Sequence, residues 1–154
     1  GELEFSTSSI NSIFFMEDLT RRMGTFNMNN TGNTSTGTGG TQFRFSSLND
    51  VWSLPAHRPG IDAHYGAAMT YDYFKNIHGR NGIDGNNGPG TTVAIADNTI
   101  NLITSRVRFG SNYNNAFWYQ NTVTYGDGDG VAFSPLVTLD IAAHELSHGI
   151  TQYT

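Results

Sequence analysis

A chain of 154 residues with a net charge of −5 and no cysteine has one domain's length, can bury a real core, and has no disulfide framework. The acidic balance argues against nucleic acid or an anionic membrane surface as partner, and no apolar run approaches transmembrane length. Only 14% of residues are charged while Gly, Asn, Ser and Thr abound, a profile of turn-rich β structure.

Residues 9–15 and 21–28 predict two strands, joined past Glu17 and Asp18, with Gly24 weakening the second. The stretch 29–42, NNTGNTSTGTGGTQ, is polar and of low complexity; with nothing apolar to bury, it predicts a mobile surface loop or hairpin tip. Phe43 and Phe45 alternate within a short strand at 41–45, and 46–60 is loop closed by Pro55 and Pro59. Residues 61–78 predict a helix. Asp62 is its expected N-cap, Tyr65, Met69, Tyr73 or Phe74, and Ile77 its expected buried stripe, and Gly79 its stop. His64 and His78 on that helix are expected at the surface or as supporting groups, not as metal ligands.

Beyond a turn cluster at 81–90, strands are predicted at 92–96 and 99–109. Ile103, Ser105, Val107 and Phe109 should share one face, and Thr104, Arg106 and Arg108 the other. A segment at 110–118 leads to a strand at 119–125. The run Asp127-Gly128-Asp129-Gly130 lacks the remaining ligands of a calcium loop of the EF-hand kind and predicts a tight turn closed by Asx bonds. Strands, helix, strands, helix describe an α+β domain with a mainly antiparallel sheet and two helices.

The second helix, at about 138–154, carries the most specific signal: His144-Glu145-Leu146-Ser147-His148, an H-E-x-x-H pattern. Positions i and i+4 of a helix lie one above the other, so both imidazoles project together and can hold one zinc ion. The intervening Glu145 can then reach a water beside the metal as general base. Leu139, Ala142, Ala143, Leu146, Ile150 and Tyr153 cluster opposite the histidines as the expected apolar stripe. Without cysteine, any metal site must use His and carboxylate ligands.

Several separated segments resemble the thermolysin-like family of secreted zinc metalloendopeptidases. The match runs through Ile61-Asp62-Ala63-His64-Tyr65, Thr70-Tyr71-Asp72-Tyr73-Phe74, Tyr113-Asn114-Asn115-Ala116-Phe117-Trp118, the 125–130 turn and the 144–151 helix. It is loose over the first 45 residues; the 81–103 connection is longer than usual and 46–59 lacks an acidic calcium loop. The resemblance implies that His144 and His148 ligate zinc, that Glu145 is the general base, and that Asp140 is a calcium ligand. It implies further that Asn115 and Ala116, flanked by Trp118, sit on an edge strand that binds the peptide substrate's backbone.

In the family the third zinc ligand, the calcium partners of Asp140 and the groups that stabilise the oxyanion lie further along the chain. The expectation is therefore an N-terminal β-rich domain, residues 1–154, whose α-helical C-terminal domain is absent and which is inactive alone. Its partners would be that second domain and a peptide or protein substrate, in an extracellular setting implied by the resemblance. The competing reading is a binding or scaffold domain without metal.

Overall fold

The structure is a computed structural model that describes residues 5–88, 90–95 and 98–154, with the backbone alone at 91–95 and 98. A central sheet runs in the order β11 (Ala116–Tyr119), β12 (Thr122–Gly126), β10 (Asn98–Phe109), β4 (Met23–Asn27), β3 (Glu17–Asp18). Two further strands join it: β5 (Phe43–Arg44) pairs with β4, and β9 (Thr91–Ile95) with β10. A smaller sheet contains β1 (Ser8–Ile10), β2 (Ile13–Phe15) and β6 (Ser46–Ser47), and β7 (Asn81–Gly82) pairs with β8 (Asn86–Gly88). The helices are α1 (Arg58–His78) and α2 (Leu139–Gln152).

Most pairings are antiparallel, as expected, but β10 runs parallel to both β4 and β12. The reason is connectivity. Helix α1 intervenes between β4 and β10, as a parallel join requires, and β11 turns back on β12 to leave β12 aligned with β10. The predicted strand at 119–125 is therefore two strands. Gln120 and Asn121 both have positive φ, 49° and 61°, the pattern of a tight two-residue hairpin turn that no glycine announces. The end of the strand expected at 92–96 lies outside the described residues.

Both helices pack on one face of the central sheet. Met23, Ile103, Val107, Val123 and Tyr125 supply the sheet side of the core; Ala63, Ala67, Ala68, Tyr71, Ala142 and Leu146 supply the helix side. This corrects the stripe expected on α1. Tyr73 and Ile77 are 54% and 65% exposed, and the buried face is made chiefly of alanines and glycines, with Pro59, His64, Thr70 and Tyr71. Small residues let the helix come close: an added Cβ at Gly66 would lie 2.7 Å from that of Ala142. The helix also begins earlier than expected, with Pro59 in its first turn, so Asp62 is an interior residue and no side chain caps the end. It stops as predicted, Gly79 adopting φ 67° while Gly79 and Arg80 donate back to the Lys75 and Phe74 carbonyls.

On the opposite face, alternation along β10 breaks. Arg108 takes φ 56° at a bulge in the pairing with β12, and the Phe109 ring packs with Tyr113 and Phe117 instead of with Ile103 and Val107. The polar stretch at 29–42 lies over those rings. An added Cβ at Gly32 would strike the Phe109 ring at 2.2 Å, and Gly37 lies against Phe117. Its glycines thus let the backbone approach aromatic faces, which composition alone did not reveal.

His64 corrects the surface expectation, being 1% exposed. Its Nε2 faces the Ser6 carbonyl at 3.1 Å, which can only accept, so Nε2 carries the proton and Nδ1 accepts from the Thr25 hydroxyl at 2.8 Å. Burial, partly offset by the Ser6 carbonyl, pushes this imidazole down to about 4. His78 is exposed at the end of α1 beside Tyr73 and Phe74.

Because the folded chain holds His64 neutral while the unfolded chain protonates it near pH 6.5, the unfolded state binds more protons between those values. Stability is therefore full above about pH 6.5 and declines as pH falls towards about 4, by on the order of 3 kcal/mol. Urea denaturation at pH 7 and pH 5 should show this loss, and His64→Gln should flatten the slope; an unchanged slope would refute the assignment.

Candidate metal centre

Helix α2 is seated by close contacts at both ends. Gly66 of α1 leaves room for Ala142, and an added Cβ at Gly149 would lie 2.7 Å from the Trp118 indole. Trp118 Nε1 also donates to Gln152 Oε1 at 2.9 Å. The buried residues of the helix are Ala142, Glu145, Leu146 and Gly149. Of the expected stripe, Ala142 and Leu146 face the core, whereas Leu139 and Tyr153 are 50% and 38% exposed. The close approach to β11 rotates Gly149 and Glu145 inward in their place.

His144 and His148 lie one turn apart on the exposed face, ring centroids 4.7 Å apart and planes nearly perpendicular. Their Nε2 atoms converge to 3.1 Å. Two imidazole nitrogens that close need a proton or a cation between them. Zinc bonded to imidazole at about 2.0–2.1 Å in a tetrahedron would place its ligand nitrogens about 3.3–3.4 Å apart. The pair therefore fits two ligand positions of such an ion with little adjustment. Among the described residues no group of three or more His, Cys, Asp or Glu is placed to hold a metal ion, so the histidines form an incomplete set.

Glu145, between them, is 8% exposed. Beneath it Tyr125 is fully buried, and its hydroxyl makes no hydrogen bond of standard geometry among the described residues. Burial, partly offset by the Ser105 side chain and reinforced by the Glu145 charge, pushes this phenol above its ordinary value, so it stays protonated. Sequence reasoning passed over Tyr125 because it reads simply as a strand aromatic.

Beside the helix, β11 is the terminal strand of the central sheet, so among the described residues one of its edges has no strand partner. Ala116 pairs with Tyr125, and Asn115 precedes the strand, exposed, its carbonyl accepting from the Gly126 amide at 2.9 Å. Trp118 is turned inward under α2, so its observed contacts are structural.

Asx bonds form as expected, but they close the loop that follows Asp129 and not the Asp127–Gly130 run itself. Asp129 Oδ1 accepts from the Val131, Ala132 and Phe133 amides at 2.8–3.0 Å, and Asn114 donates to Oδ2. The Asn114 amide, followed by those backbone donors, holds the Asp129 carboxyl well below the usual range. Asp127 is occupied with Asn30 and Arg108. Asp140 is exposed in the first turn of α2, where the Thr138 hydroxyl donates to it and holds its pKa down.

Residues 1–152 match the family model for the thermolysin metallopeptidase catalytic domain. The chain belongs to that family. Relatives include the transglutaminase-activating metalloprotease of Streptomyces mobaraensis, 42% identical over all of this chain and 18% of its own length. Bacillolysin of Brevibacillus brevis is 38% identical, covering 98% of this chain and 25% of the relative. Thermolysin of Bacillus sp. strain EA1 is 35% identical over 96% and 24%. A solved structure of the protealysin precursor, a metalloproteinase from Serratia proteamaculans, superposes with a TM-score of 0.61 at 26% identity, over 84% of this chain and 34% of that one. The 154 residues thus span about a quarter or less of the curated relatives they match.

Removing the Asp129 carboxylate should release the 131–133 loop without unfolding the domain. Asp129→Ala is expected to speed amide exchange at Val131, Ala132 and Phe133 while exchange in β12 stays slow; unchanged exchange at all three would show that the carboxylate does not organise the turn.

Proposed function

We propose that this domain is part of a zinc-dependent endopeptidase, supplying two metal ligands, the general base and the substrate-binding strand. The observation that carries the reading is the convergence of His144 and His148 Nε2 at 3.1 Å on one exposed helix face, with Glu145 between them. Bound there, zinc would act as a Lewis acid that polarises a peptide carbonyl and acidifies water. The third ligand would come from the part of the longer protein outside these residues, as an open hydrolytic zinc site normally needs three protein ligands. Alone, the two histidines should hold zinc weakly and the domain should not cleave peptides.

The chain's own groups then divide the remaining work. The Glu145 carboxylate accepts the proton that the attacking water gives up and passes it to the departing amine nitrogen. Its low exposure favours that role, because a charge in a dry setting acts more strongly on its neighbour than one in water. An extended peptide would pair with the free edge of β11, backbone to backbone, near Asn115 and Ala116. Trp118 supports this edge from beneath by fixing the strand to α2. Asp140 would join a calcium site only with acidic partners from outside the described residues. An extracellular location belongs to the same family reading.

Two measurements on the full-length protein test the assignment. Calorimetric zinc titration should show His144→Ala or His148→Ala abolishing tight binding. Glu145→Gln should retain the metal yet slow peptide cleavage by about 10²–10⁴-fold. Zinc affinity indifferent to both histidines would favour a scaffold domain without metal, and full activity in Glu145→Gln would remove Glu145 as base.

A further inference from the structure

The outer face of the central sheet, turned away from the helices, carries a cavity of about 140 Å³. It is walled by the 37–39 loop, Phe117, Tyr119 and Gln120, with Arg106, Thr122 and Thr124 reaching it from the sheet. At roughly 30 Å³ per water, such a space holds four or five waters, or one small polyatomic ion.

The polar groups here are incompletely used. Arg106 Nε donates to Gln42 Oε1 at 2.9 Å, which orients the guanidinium plane. Its terminal nitrogens have no hydrogen-bond partner among the described residues, and no carboxylate there pairs with it. Arg21, Arg44 and Arg108, by contrast, each sit against a carboxylate. Thr124 is 3% exposed, and its hydroxyl likewise has no partner among the described residues. Thr122, 1% exposed, makes only a long 3.5 Å contact to the Gln120 carbonyl.

We propose that this cavity is a binding site for a small oxyanion, a carboxylate or phosphate group, held by the Arg106 fork and the Thr122 and Thr124 hydroxyls. A guanidinium offers parallel N–H donors matched to two oxygens of such a group, and the threonine hydroxyls can rotate to donate to the remaining lone pairs. Burial also lowers the Arg106 pKa without discharging it, the expected state of a desolvated cation awaiting a counter-charge. The site is separate from the metal centre: the histidines lie on a helix packed on the sheet's other face, and no residue of α2 lines the cavity.

The test is an amide NMR titration of the 154-residue chain at pH 7 and constant ionic strength, with sodium acetate in one arm and inorganic phosphate in the other. Saturable shifts at Tyr119, Thr122 and Thr124 are expected in at least one arm, which also identifies the class of oxyanion. Arg106→Met should weaken binding by about tenfold or more, and Arg106→Lys should weaken it less by keeping the charge without the fork. Thr124→Val, nearly isosteric, covers the case in which the arginine variants fail to fold and should weaken binding several-fold. Arg58→Met, on exposed helix surface, should leave it unchanged. The proposal is overturned by shifts that do not saturate in either arm, by affinity unaffected in Thr124→Val and in any folded Arg106 variant, or by an equal loss in Arg58→Met.

Discussion

The closeness with which α2 is held between α1 and β11 is the constraint on which the candidate site depends. Gly66 and Gly149 leave no free space for a β-carbon, and the Trp118 indole is both packed against the helix and hydrogen-bonded to its last turn. A helix held on two sides can neither roll nor slide without clashing. Its rotation sends Leu146 and Glu145 inward and leaves both histidines outside. A metal centre needs its first ligands placed to within a fraction of an ångström, and a rigid helix on a packed sheet supplies that more reliably than a loop.

Charge is used sparingly elsewhere, and largely as bracing. Glu17, 1% exposed, receives both Arg44 Nε and a terminal nitrogen, at 2.7 and 2.6 Å, and the Ser8 hydroxyl. Arg21 bridges Asp18 on β3 to Asp72 on α1. Burial alone would raise the Asp18 pKa, but the Arg21 backbone and guanidinium donors outweigh it and hold the group below its ordinary value. Such pairs add little net stability over apolar packing, yet removing one partner strands a buried charge. Their effect here is to tie the N-terminal strands to the sheet and to α1, the same side on which His64 is enclosed.

The two faces of the sheet solve different problems. The inner face is apolar and covered by helices. The outer face is covered by a glycine-rich loop that lies on Phe109 and Phe117, an arrangement that needs the Arg108 bulge to bring Phe109 round. Polar side chains remain at the edge of that cover, and there the threonines and Arg106 meet.

Much of this was legible beforehand. H-E-x-x-H names its own geometry, because i and i+4 spacing on a helix puts two imidazoles together whatever the surroundings. Gly79 as a helix stop and Asp129 as an Asx-bonded turn are equally local, decided within a few residues by backbone chemistry. Tertiary structure decided whatever depends on which neighbour arrives. Which face of α1 is buried followed from small residues that admit α2, not from its large apolar ones. His64 became a core histidine because Thr25 and Ser6, distant in sequence, satisfy both its nitrogens. The hairpin at Gln120 and Asn121, the parallel joins of β10 and the seating of the 29–42 loop on aromatic rings also lay beyond any local pattern. By itself the sequence determined which residues can act on a metal and a peptide, since that follows from side-chain chemistry at fixed spacing. Only the fold decided what they face, since packing is a property of pairs that the chain brings together from far apart.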